Sequence, residues 1–153
     1  MLKPLSQWIC DVCSEVIEKP EDGYVIWRSE QSGEDFLNTD FKIIHRKKCD
    51  LKNHQASTAL SDYLGSDGLT TLLAFIDLGI ALDPEMKSTY PRESIKNLTE
   101  FLDFFRRLQT PYYEEARRYF KTARNDDFFA GCNELWPYLE DSLKSVIENY
   151  GIS

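Results

Sequence analysis

The chain has little of what most active sites, and membrane-spanning helices, require. It holds only two histidines, His45 and His54, so acid–base machinery built on imidazole has little to draw on. There is no Gly-rich phosphate loop, His-Glu-x-x-His helix or nucleophile elbow. No apolar run approaches the roughly 18 residues that a membrane span needs. The longest such stretch, residues 69–82, is interrupted by Asp77 and reads as a core helix. Met1-Leu-Lys-Pro lacks the apolar segment of a secretory signal, and a reducing cytoplasm is the expected compartment. Internal repeats and low-complexity tracts are absent. Lysine and arginine are missing altogether between Asn53 and Met86, a span that contains Asp62, Asp67, Asp77, Asp83 and Glu85. Residues 60–76 have a helix–turn–helix rhythm with Gly65 in the turn. A recognition helix with no cation has nothing to hold phosphate, so this is read as a core hairpin.

What is present is enough for a folded core. The 153 residues are 42% hydrophobic and 13% aromatic. The net charge of −8 is unevenly spread: residues 1–53 carry 8 basic and 10 acidic side chains (−2), and residues 54–153 carry 10 and 16 (−6). Such a chain repels polyanions overall, so a nucleic-acid site would need a local basic face. Two groups offer one: Arg46, Lys47 and Lys48, and the stretch Arg106, Arg107, Arg117, Arg118, Lys121 and Arg124. For the second group the ordinary reading is solvated ion pairing with Asp103, Glu114 and Glu115. The acidic pairs Glu114-Glu115 and Asp126-Asp127 read as first-turn or cap carboxylates favoured by a helix dipole.

The strongest chemical signal lies in three of the four cysteines. Cys10 and Cys13 have two residues between them, a spacing that lets one tight turn present both sulfurs to one ion, and His45 and Cys49 have three. Three thiolates and a neutral imidazole are a usual complement for one tetrahedral zinc ion, and four ligands make the site closed and structural. Thirty-one residues lie between Cys13 and His45, enough for a β-ribbon to bring the pairs together. His54, five residues beyond Cys49, is the alternative imidazole, but His45 ends a convincing strand. Arg46, Lys47 and Lys48, between the last two ligands, offset the formal charge of −1 on such a site. Cys132 falls in an apolar repeat and is read as a small core residue.

The periodicity predicts an α+β protein: a small zinc-bound antiparallel β-ribbon over residues 1–53, then a mostly α-helical domain of about five helices over 54–153. Residues 24–28 and 41–45 are the ribbon strands, with Trp8, Ile17, Trp27, Phe36 and Phe41 clustered beside the metal. Ser66 is the predicted cap of a helix carrying Leu69, Leu72, Leu73, Ile76 and Ile80. After the connection containing Tyr90-Pro91, helix is predicted to resume at Arg92 or Glu93 with Ile95, Leu98, Leu102, Phe105 and Leu108 as its stripe. A further stripe runs from Phe128 through Cys132, Leu135 and Leu139 to Tyr150, with a kink or restart at Pro137.

The order Cys-x-x-Cys, aromatic strand, Phe-x-Ile-x-His-x-x-x-Cys, then Tyr63-Leu-Gly-Ser-Asp-Gly-Leu69 and Leu108-Gln-Thr-Pro-Tyr-Tyr-Glu-Glu-Ala-Arg117, resembles a group of small bacterial proteins to which no activity is assigned. Its first part is similar in kind to zinc-ribbon and treble-clef modules, except that Ser14 stands where glycine commonly follows the second cysteine. The expected function is a non-catalytic, zinc-stabilised protein-interaction or regulatory module whose partner is another protein rather than a membrane. A nucleic-acid-binding regulator using the two basic groups is the second reading, and a zinc hydrolase the third.

Overall fold

The computed structural model describes residues 1–54, 56–89 and 93–151. The predicted connection at Tyr90-Pro91 and the predicted helix start at Arg92 lie outside these. The protein is α+β. Two short strands, β1 (Trp8–Ile9) and β2 (Val16–Ile17), pair antiparallel around the Cys10–Cys13 turn. A long hairpin follows, β3 (Gly23–Ser32) and β4 (Asp35–His45), closed by the two-residue turn Gly33-Glu34. β5 (Ala56–Ala59) adds to β3 antiparallel and β6 (Glu93–Ile95) to β4 in parallel, giving the order β5-β3-β4-β6. The helices are α1 (Gly65–Ala74), α2 (Pro84–Ser88), α3 (Leu98–Gln109), α4 (Tyr113–Ala116), α5 (Phe120–Asn125) and α6 (Glu140–Tyr150).

The centre of the hairpin is buried on both faces, since the adjacent pairs Val25-Ile26 and Ile43-Ile44 are all inaccessible to solvent. Phe41 is the pivot of the core: it stacks on Phe104 of α3 and meets Phe101 and Phe75 edge-on. Asp40, at φ +58, forms a bulge opposite Trp27, where the register slips. The bulge is held by Arg28, Lys42 and His54, all within 3.3 Å of the Asp40 carboxylate.

Several local expectations change once tertiary contacts are known. Gly65 is left-handed, but α1 starts there and its N-cap is Leu64, so Ser66, the predicted cap, lies in the first turn. Gly68 is needed at close quarters, because a Cβ there would sit 2.0 Å from the Tyr63 carbonyl carbon. α1 stops at Ala74 and buries only Gly68 and Leu72, leaving Leu69, Leu73, Ile76 and Ile80 exposed. Glu93–Ile95 pairs as a strand, so α3 starts later, capped by the Asn97 side chain accepting from the Glu100 N–H at 3.1 Å. The stripe therefore rotates to Phe101, Phe104 and Leu108, and it brings Arg107 inside. Residues 126–131 are turns and 132–133 irregular rather than helix, and Cys132 is exposed there, not in the core. Pro137 is the second residue of a short 3-10 turn, Trp136–Tyr138, before α6, the restart its position demanded.

One apolar cluster runs from Trp8 and Ile17 through the sheet to Leu60, Tyr63, Leu72, Phe101, Phe104 and Leu108. A second, of Tyr113, Ala116, Leu143, Val146 and Ile147, lies beyond the α3–α4 turn. The first cluster takes in residues from both sides of the 53/54 boundary and includes Cys10 and Cys49. Trp8 also donates its indole N–H to the Arg107 carbonyl at 3.0 Å. Unfolding of the ribbon alone would strip α3 of its packing surface. Chelator titration is therefore expected to give one coincident transition in tryptophan fluorescence and far-ultraviolet circular dichroism. Loss of the fluorescence signal with most helicity retained would contradict a shared core.

Candidate metal centre

Cys10, Cys13, His45 and Cys49 converge. Their ligand atoms all lie within 4.8 Å of one another. Zinc–sulfur bonds of about 2.3 Å at tetrahedral corners put sulfurs about 3.8 Å apart, so the cluster has the right size for one ion.

Each ligand is placed by a specific backbone device. The Cys10 N–H donates to the Glu15 carbonyl and the Ser14 N–H to the Cys10 carbonyl, both at 3.0 Å, which folds the knuckle tightly. Ser14 takes φ +61, the left-handed conformation that glycine would supply, so the departure at this position is chemical and not conformational. Lys47 does the same at φ +70 between His45 and Cys49. His45 ends β4, and its Nε2 lies 3.1 Å from the Val16 carbonyl. A carbonyl only accepts, so Nε2 carries the proton and Nδ1, 3.3 Å from the Cys13 sulfur, presents its lone pair to the cluster. His54 points elsewhere, with Nε2 at 3.1 Å from Asp40.

The electrostatics suit a cation. Burial pushes the Cys10 thiol up, but the backbone N–H groups of Cys13, Val12 and His45, with the His45 ring, pull it down to about 6. Cys49 goes the other way, to about 11, through burial and then through hydrogen bonding to Cys13 and Cys10. Lys48 is held in its charged form chiefly by its hydrogen-bonded ion pair with Glu15. Arg46 lies over the Tyr24 ring at 5.2 Å.

Spacing gave no sign of the anchor behind the knuckle. Arg107, 3% exposed, donates to Asp11 at 2.7 Å, to both oxygens of Glu114 at 2.7 and 3.0 Å, and to the Ile9 carbonyl at 3.0 Å. Burial alone would disfavour its charge, but Glu114 and then Asp11 raise its pKa above the ordinary arginine value. The same carboxylates take up backbone donors: Ile9 N–H to Glu114 at 2.9 Å and Ile43 N–H to Asp11 at 2.6 Å. Glu115 accepts from the Leu2 N–H at 3.1 Å and from Tyr119 at 2.8 Å. Glu114 and Glu115 do lie in the first turn of α4, as expected, but as buried anchors and not as solvated charges. Arg117 with Asp103 forms the expected pair at the surface, and half-exposed Arg118 reaches in to the buried Glu115. The missed signal was helical phase: Arg107 lies three residues after Phe104, on the buried face.

No protein-family model, curated protein or solved structure matches the chain.

Two outcomes are expected from this geometry. At pH 7.5 metal uptake must deprotonate Cys49. Calorimetry in buffers of different ionisation enthalpy is expected to show at least one proton released per ion, with apparent affinity rising as pH rises. No proton release would contradict it. Arg107→Met leaves Glu114 buried without a counter-charge and is expected to cost about 3–5 kcal/mol in urea unfolding. A loss below about 1 kcal/mol would mean that the pair is dispensable.

Proposed function

We propose that the chain is a non-catalytic protein-interaction or regulatory module stabilised by one structural zinc ion, held by Cys10, Cys13, His45 and Cys49. The observation that carries this reading is the convergence of three sulfurs and one correctly oriented imidazole nitrogen within 4.8 Å. Sulfur-rich donor sets favour zinc over magnesium, calcium or manganese, and four protein ligands fill a tetrahedral ion. A hydrolytic zinc keeps one corner for water, and His54, the spare imidazole, is committed to the Asp40 bulge. The metal's part is then to add folding energy and fix the knuckle, not to activate a nucleophile.

The rest of the surface supports a protein partner over nucleic acid. In the 106–124 stretch Arg107 is buried, Arg106 lies over Tyr138 at 4.2 Å, and Arg117 and Arg118 are paired with carboxylates. Among the described residues, no helix is long and apolar enough to cross a membrane.

Purification without chelator is expected to yield one zinc per chain by elemental analysis; none would overturn the reading. Cys13→Ser is expected to lower Tm by roughly 10 °C, because a lost structural ligand costs several kcal/mol. Cys132→Ser, at an exposed position, is expected to change Tm by no more than about 2 °C. Equal shifts would argue that Cys13 binds nothing.

A further inference from the structure

The far end of the molecule carries a second feature that the metal does not explain. A groove of about 1160 Å³ opens between the β3–β4 hairpin tip, the end of α1 and α2. Phe36, Ile76, Leu78 and Leu82 give it an apolar lining, and Glu34, Asp35 and Asp77 give it an acidic rim. Ile76 and Leu78 are 51% and 44% exposed, and Ile80 beside them is fully exposed. These side chains lie beyond the end of α1 at Ala74, in a stretch of turn and irregular chain. A cluster of this kind on a folded surface is unusual unless something covers it.

Charge decides what that occupant is. Residues 53–86 contain no lysine or arginine and five carboxylates. Lys87, the one cation among the described groove residues, is drawn to Asp77 at 3.4 Å. Nucleic acid and anionic lipid would meet like charge at the rim. A second copy laid face to face would set carboxylate against carboxylate, in a chain of net charge −8. What complements an apolar floor with an acidic rim is a segment with apolar side chains on one face and lysine or arginine along its flanks. We infer that this groove is the docking site for a basic, amphipathic segment of a partner protein. The inference rests on the reading of the chain as an interaction module and names the chemistry of its partner. The metal site at the opposite end of the hairpin holds the scaffold but does not touch the occupant.

The test uses the full chain with its zinc content measured in every sample, so that loss of the metal site and failure of the groove are told apart. The probe is an 18-residue leucine/lysine peptide patterned as an amphipathic helix, followed by fluorescence anisotropy at physiological salt. Its leucine/glutamate counterpart is the control. Saturable binding of the lysine peptide and none of the glutamate peptide is expected. The double variant Ile76→Ser, Leu78→Ser is expected to weaken binding about tenfold or more, and Glu34→Lys, Asp35→Lys to weaken it similarly. All four side chains are accessible enough for the fold to be retained, which circular dichroism checks. Variant affinities within about twofold of wild type would overturn the proposal, since the peptide would then be responding only to net charge. Equal binding of the glutamate peptide would also overturn it, as would a dimer in sedimentation that the Ile76→Ser, Leu78→Ser variant dissociates. A metal-loaded chain that binds neither peptide would refute the groove and leave the zinc reading intact.

Discussion

Three sulfurs and an imidazole brought within 4.8 Å of one another pose a charge problem that governs the N-terminal half of this protein. Cys10 is readily ionised, and Cys49, buried beside it, is held in its thiol form. In the absence of a cation the cluster is a set of repelling or protonated groups; with zinc it becomes four bonds. The backbone is already shaped for the second state. Ser14 and Lys47 both accept left-handed conformations, and the His45 ring is fixed by the Val16 carbonyl with its free nitrogen turned inward.

The knuckle is not a free-standing knob. Asp11, which sits between Cys10 and Cys13, reaches the buried Arg107 on α3, and Glu114 on α4 neutralises the same guanidinium. A buried cation adds little net stability over an apolar pair, but it enforces one arrangement, because any other leaves a charge without its partner. Here it fixes how β1, β4, α3 and α4 meet. The indole of Trp8 and the apolar cluster around Phe41 complete a core to which residues on both sides of position 53 contribute. Folding of the ribbon and of the first helices is on this account a single event.

Much of this was legible in the sequence. The pairing of Cys10 and Cys13 with His45 and Cys49, the hairpin strands, the turn at Gly65 and the restart at Pro137 each follow from short-range rules of spacing or backbone conformation. What was not legible depended on long-range pairing. Glu93–Ile95 carries a helical rhythm but is captured as a strand by β4, and that capture sets the phase of α3. With the phase shifted, Arg107 moves from a surface stripe to the core, and Glu114 and Glu115 follow it. Cys132 keeps helical spacing with Phe128 and Leu135 yet sits just past a run of turns, because the second cluster is closed by Tyr113, Leu143 and Val146 without it.

The central claim is a closed metal site with three sulfur ligands and one nitrogen ligand. X-ray absorption at the zinc edge of the purified protein tests it most directly. Three sulfur scatterers at about 2.3 Å and one imidazole nitrogen at about 2.0 Å, with no oxygen in the first shell, are the expected result. Two sulfurs, or a bound water or carboxylate oxygen, would contradict it and would reopen the site to chemistry.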